Sequence, residues 1–204
     1  MNLNSLPFNW FDLLVVITLC VGILRGRKRG MSEELMPLLK WLLVILGAAF
    51  VYQPIGQMIF NNSSVFTLLS CYLIAYVGSV MVIAGLFALT TKLMGGKLVG
   101  SDVFGTNEYY LGMVAGMLRF TCILIGFLAL LNARLYQTHE IRAAEKFQKD
   151  VYGSNFFPTL QSIQAQVFQK SFFGPLIKDN LAFVLIKPTE PEKKEMKKKQ
   201  FELP

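Results

Sequence analysis

Four long runs of apolar residues constrain the fold of this chain more than any other feature. They cover residues 8–24, 35–52, 65–91 and 109–132. A helix rises about 1.5 Å per residue, so about 20 residues cross the bilayer core of about 30 Å. Strands are excluded because a lone sheet would leave its edges unpaired in lipid. The sequence therefore predicts an all-α, polytopic membrane protein with four transmembrane helices.

Composition favours the same class of protein. Hydrophobic residues make up 53% of the 204 residues and charged residues only 16%, whereas a soluble domain is about a quarter charged. The net charge of +7 raises the question of nucleic-acid binding, but that function needs a contiguous basic face. Positive residues that flank membrane spans explain the charge better. We expect the lipid bilayer, and no nucleic acid, as a partner.

Basic residues follow the first apolar run and predict its orientation. A signal peptide has positive charge before its core, but residues 1–9 contain no Lys or Arg. We therefore expect an uncleaved anchor whose following loop is cytoplasmic, while the uncharged stretch 53–64 lies on the opposite side. Four spans then place both termini outside the cytoplasm. The topology-determining residues are Arg25, Arg27, Lys28 and Arg29.

The pattern changes after the four-helix transmembrane domain, residues 1–132. Apolar residues at helical spacing predict two amphipathic helices in residues 133–186, with a break near Gly153 to Pro158. These helices could lie on the membrane surface, cover the mouth of the bundle or form a small packed cap. Residues 187–204 are rich in Lys, Glu and Pro, and this composition predicts a disordered tail.

Small residues inside the apolar runs predict close contacts between helices, because helices in lipid associate through close packing. Gly112 and Gly116 form a GxxxG pair in the fourth run. The contacts could be within one chain or between copies, and we expect a homo-oligomer. The third run carries two further stripes of predicted packing residues, Ala75 with Ser79 and Gly78 with Gly85.

Two intramembrane charges, Asp12 and Arg119, need a physical explanation, because a charge in lipid is costly. In the first alternative they form an ion pair, although their expected depths differ by about two helical turns. In the second, Arg119 bonds to backbone carbonyls and Asp12 reaches the membrane surface. A pair predicts that the double substitution by alanine is milder than either single one.

The chain lacks the residue groups that catalysis or metal binding requires. His139 is the only histidine, and Glu33 and Glu34 are adjacent, so they diverge on a helix. We therefore expect no enzyme, no cofactor and no metal site. The cysteines lie far apart in apolar runs and are interpreted as small hydrophobic residues at helix interfaces; they are Cys20, Cys71 and Cys122.

Several short motifs follow one another in a characteristic order. Trp10-Phe11-Asp12 opens the first run, Arg25-Gly26, Arg29-Gly30 and Glu34 follow it, and NEYYLGMVAGMLRF begins the fourth run. This order resembles the colicin V production protein family, small bacterial inner-membrane proteins with four membrane helices. The resemblance covers about residues 8–132. The chain departs from the family pattern where Glu108, Tyr109 and Phe120 stand.

The resemblance implies a multi-pass protein of the bacterial inner membrane that takes part in toxin production or bacteriocin export, or in maintaining the cell envelope. It also implies an oligomeric, channel-like component. The alternative from the residues themselves is a membrane adaptor without a pore, which docks an unknown protein partner through its C-terminal helices.

Overall fold

A computed structural model describes residues 8–63, 65–93, 105–153 and 158–190. Within these ranges the protein is helical, apart from one isolated β-bridge that joins Arg134 and Thr189. The helices are α1 (Trp10–Asn62), α2 (Leu68–Leu93), α3 (Glu108–Asn132), α4 (Thr138–Tyr152), α5 (Leu160–Phe168) and α6 (Phe173–Asn180), and a short 3₁₀ turn (Gly105–Asn107) precedes α3.

Three helices of the described part, α1, α2 and α3, are long and apolar enough to cross a membrane. The prediction of four transmembrane helices is therefore corrected to three. The first two predicted spans both lie in α1, because the basic stretch between them is helical and not a loop. Only Gly30 departs from helical geometry there, with φ 76° and ψ 171°.

The chain reverses its direction at Gly30. Before Gly30, the contact of Gly22 with Gly116 is followed by that of Gly26 with Gly112, so α1 and α3 run antiparallel. After Gly30, Glu34 contacts Arg119 and Ile45 contacts Gly126, so the two run parallel. A straight helix cannot do both. We call residues 10–29 the first arm and residues 31–62 the second arm.

Helix α2 packs antiparallel to the second arm and completes the bundle. Tyr72, near the start of α2, contacts Gly56, and Ile83 contacts Gly47. The rings of Tyr52 and Tyr72 meet edge to face with 5.7 Å between their centroids, which is a favourable aromatic geometry. Tyr52 is almost fully buried, so the aromatic cluster marks the centre of the packing between these helices.

A C-terminal cap, residues 158–190, covers the end of the bundle opposite Gly30. Its segment 184–186 is buried. The side-chain amide of Asn132 donates a hydrogen bond to the Ile186 carbonyl (3.0 Å), and the Lys187 amide donates one to the Tyr52 hydroxyl (3.1 Å). Buried polar groups on two membrane helices therefore hold the cap in place.

The region after residue 132 differs in two ways from its prediction. Its described residues form three helices instead of the predicted two, because the second predicted helix ends at Phe168 and α6 starts at Phe173. The predicted tail also begins too early, since Thr189 is hydrogen-bonded to the linker after α3: its amide donates to the Ala133 carbonyl (2.9 Å). Residues 191–204 lie outside the described residues.

Candidate functional site: a buried ion pair beside a glycine contact

Four glycines bring the first arm and α3 into direct backbone contact. A side-chain carbon placed on Gly22 would lie 2.9 Å from the Gly116 carbonyl oxygen, and one on Gly112 would lie 2.5 Å from that of Gly26. Real carbon atoms do not approach so closely, so only glycine fits. The predicted GxxxG pair therefore packs within one chain. Its partners Gly22 and Gly26 have the same spacing but were not among the predicted packing residues.

The reversal at Gly30 is attached to the start of α3. The positive φ of Gly30 is a conformation that other residues rarely adopt. A side-chain carbon there would also lie 2.7 Å from the Cγ atom of Glu108. The Glu108 carboxylate accepts a hydrogen bond from the Ser32 amide (3.3 Å). Glu108 thus stabilises the turn between the two arms.

Glu34 and Arg119 form a buried ion pair one turn beyond this reversal. Glu34 is fully buried and Arg119 is 6% exposed, and the guanidinium donates a hydrogen bond from Nη1 to Oε2 of Glu34. A second guanidinium, that of half-buried Arg29, lies 3.6 Å from Oε1 of Glu34. One carboxylate therefore faces two positive groups. The Arg119 guanidinium also lies over the ring of Phe120, 4.9 Å from its centroid.

The ion pair is only partly satisfied. Oε1 of Glu34 and Nε of Arg119 are buried and have no hydrogen-bond partner in the described part of the chain. Burial of charge is expensive unless every group is paired, and ionisable residues inside membrane helices are usually functional. The Glu34–Arg119 pair, together with the glycine contact, is therefore the candidate functional site.

Asp12 does not contact Arg119 and has a different role. It is fully buried and accepts hydrogen bonds from three backbone amides, those of Asn9 (2.8 Å), Phe172 (3.1 Å) and Phe173 (3.1 Å). It thus caps the start of α1 and also binds the cap at the start of α6. Glu34 was not identified from the sequence as the partner of Arg119. The sequence feature that could have indicated it is the position of Glu34 at the end of the RGxxRGxxxE motif.

Replacement of Asp12 by alanine is expected to release the cap. Loss of the carboxylate leaves buried amides unpaired and weakens cap docking by about 2–4 kcal/mol. Limited trypsin digestion of the detergent-solubilised protein should therefore cleave at Lys170 and Lys178 faster in Asp12→Ala than in wild type. The exposed Asp179 provides the matched control, Asp179→Ala. Equal digestion of Asp12→Ala and wild type would show that Asp12 does not hold the cap.

The two predicted stripes of packing residues on α2 differ in burial. Ala75 and Ser79 are buried, and the Ser79 hydroxyl donates a hydrogen bond to the Ala75 carbonyl (2.7 Å). At Gly78 and Gly85, in contrast, an added side-chain carbon would meet nothing within 4 Å. These glycines lie on the outer face of the described bundle.

The predicted topology residues cluster at the reversal. Arg25, Arg27 and Lys28 are exposed, and Arg29 is half-buried. Among the described residues no group of three or more His, Cys, Asp or Glu side chains could hold a metal ion. The cysteines are not disulfide-bonded; Cys71 is buried, as an interface residue would be, whereas Cys20 is exposed.

The apolar helices and the charge pair enclosed between them define a helical membrane protein. A family model described as Colicin V production protein matches residues 11–178. The match covers most of the chain, so the chain belongs to the colicin V production protein family, and it is a membrane protein linked to colicin V production. No curated protein and no solved structure matches the chain.

Proposed function

We propose that the protein is a multi-pass protein of the bacterial inner membrane whose three apolar helices make four crossings. At about 1.5 Å per residue the first arm is about 30 Å long and the second arm about 48 Å, and either length reaches across a bilayer core. The reversal at Gly30 then lies at one membrane surface. By the positive-inside rule this is the cytoplasmic surface, because the exposed Arg25, Arg27 and Lys28 surround it.

We further propose that the protein assists the export of a colicin V-type peptide toxin and has no enzymatic activity of its own. The observation that carries this proposal is the Glu34–Arg119 pair, which is buried between membrane helices with one acceptor and one donor unsatisfied. Such groups mark the moving or conducting parts of membrane proteins. Membership of the colicin V production protein family supports a role with a toxin of this type.

A path for the toxin would form between copies and not through one chain. Tyr52, Tyr76 and Ala129 fill the centre of the described bundle. The outer face of α2 is the best candidate for contact between copies, because Gly78 and Gly85 are open there. Small residues on a lipid-facing surface allow close approach of helices. We therefore propose a channel-like homo-oligomer that assembles through α2.

The export proposal is tested in toxin-producing cells that lack their own copy of this protein. Complementation with Glu34→Gln is expected to leave toxin inside the cells and to reduce the toxin in the medium. Glu33→Gln, at the exposed neighbouring position, is the matched control and should restore secretion. If toxin is absent from both cells and medium, the protein acts in synthesis and not in export. Normal secretion by Glu34→Gln would remove the ion pair from the mechanism.

Assembly is tested separately with the double variant Gly78→Leu and Gly85→Leu. We expect it to fold normally, since both sites are open, and to give a smaller particle than wild type. Light scattering of the protein in mild detergent measures the particle mass. An unchanged oligomer would exclude this face of α2, and a monomeric wild type would exclude the oligomer itself.

An adaptor without a pore is a second candidate function, because α4 leaves an apolar face uncovered. Phe147 is 63% exposed and Val151 54%. If this face docks a soluble protein partner, Phe147→Glu should abolish toxin secretion and leave the particle mass unchanged. Normal secretion with Phe147→Glu would count against the adaptor. The control is Lys146→Glu, on the polar face of the same helix.

A further inference from the structure

A pocket of about 180 Å³ lies where the cap meets the linker after α3. Its lining comes from the end of α3, the linker, the first turn of α4, helices α5 and α6, and the segment near residue 188. The two cations in this lining are Arg134 and Lys178, and its neutral polar residues include Tyr136, Gln161 and Gln169. The pocket is therefore more polar than the apolar grooves between the membrane helices.

Each cation of the pocket is exposed and lies near an aromatic ring. The Arg134 guanidinium lies over the ring of Tyr136, 4.7 Å from its centroid, and the Lys178 ammonium lies 6.0 Å from the centroid of Phe168. The backbone at Arg134 is also held, because its carbonyl accepts a hydrogen bond from the side-chain amide Nε2 of Gln164 (3.0 Å). A positioned cation loses less freedom when it binds a ligand.

Further polar side chains in this pocket are available to a ligand. Gln161 and Gln169 make no side-chain hydrogen bond to the rest of the described chain. The Tyr136 hydroxyl can donate a hydrogen bond at neutral pH, as any tyrosine can, and burial raises its pKa further, against the lowering effect of Arg134. The Glu140 carboxylate is close to this pocket, and its Oε2 lies 3.6 Å from Nη2 of Arg134.

We propose that this pocket binds a phosphate group between Arg134 and Lys178. A guanidinium binds phosphate oxygens through two parallel hydrogen bonds, and the glutamine amides supply further donors. The volume holds a phosphate and part of the group attached to it. Because the pocket adjoins the end of α3, at the level of a membrane surface, the phosphate can come from a lipid headgroup. A soluble phosphate compound presents the same chemistry.

The arrangement of charges predicts that neighbouring substitutions change the affinity for phosphate in opposite directions. Arg134→Gln and Lys178→Gln each remove a charged donor and should weaken binding about tenfold. Glu140→Gln removes the carboxylate that competes for Arg134 and should strengthen binding about threefold. A residue that only supports the fold would not give such a gain. Lys170→Gln, on an exposed cap residue outside the pocket lining, is the control and should change nothing.

The full chain in maltoside detergent is titrated by calorimetry with three probes: dihexanoyl phosphatidylglycerol, inorganic phosphate and dioctanoylglycerol, which has no phosphate. Binding of the phospholipid alone identifies a membrane lipid as the source, and binding of inorganic phosphate identifies a soluble one. The proposal is overturned if neither the phospholipid nor inorganic phosphate binds, or if dioctanoylglycerol binds equally well. It is also overturned if Arg134→Gln, Lys178→Gln and Glu140→Gln all bind with the affinity of wild type. The export proposal does not depend on this result.

Discussion

Arg119→Met is expected to destabilise the protein by about 3–5 kcal/mol, because it leaves the buried Glu34 carboxylate without its charged partner. Glu34→Gln should have an effect of similar size, because it leaves Arg119 unpaired beside Arg29. The double variant should be more stable than either single variant, since no uncompensated charge remains between the helices. Thermal unfolding in mild detergent, followed by circular dichroism, measures all three.

The half-buried Arg29 supplies the control for this comparison. Its guanidinium lies 3.6 Å from Glu34, and its side chain is 37% exposed, so water screens it and Arg29→Gln should cost about 1 kcal/mol or less. If the loss in the Glu34→Gln/Arg119→Met double variant equals the sum of the two single losses, the residues act independently. The ion pair would then not be the stabilising unit of the site.

Gly112→Leu should have a large effect on the folding of the transmembrane part. Its first side-chain carbon would meet the Gly26 carbonyl oxygen at 2.5 Å and the backbone of Gly30 at 2.7 Å. Backbone cannot move aside as a flexible side chain can, so the expected loss exceeds about 3 kcal/mol. We expect little folded protein in the membrane fraction, measured as a monodisperse peak after detergent extraction.

Gly78→Leu is the matched control for this variant, because it places the same side chain in another apolar helix where nothing lies within 4 Å. It should be extracted with a yield close to that of wild type. A well-folded Gly112→Leu protein would contradict the backbone contact between the first arm and α3. Equal losses in both variants would point instead to a general intolerance of leucine in these helices.

The apolar helices themselves could be predicted from sequence, because hydrophobic length is a local property. The predicted span 109–132 matches α3 (Glu108–Asn132) within a residue, and the GxxxG spacing of Gly112 and Gly116 is visible in the sequence. The reversal at Gly30 could not be predicted in the same way. Charged residues around it are typical of a loop, yet the helical geometry continues on both sides and changes at a single glycine.

The partners of the buried charges could not be predicted from sequence for a different reason. Depth in the membrane suggested Asp12 for Arg119, but the observed partner Glu34 lies 85 positions from Arg119. Asp12 binds an amide 160 positions away, at Phe172. Such pairs depend on which helices are neighbours, and periodicity along one helix carries no information about that. In this protein the reversal of α1 at Gly30 determines which helices are neighbours.

Sidedness of labelling along α1 tests the central claim, the reversal at Gly30, most directly. Single cysteines at Phe8, Lys28 and Asn61, in a chain whose three native cysteines are replaced by serine, are treated in intact cells with a membrane-impermeant maleimide. We predict the same accessibility for Phe8→Cys and Asn61→Cys, and the opposite one for Lys28→Cys. Labelling of Phe8→Cys and Asn61→Cys from opposite sides would mean that α1 crosses the membrane once, and would contradict the account.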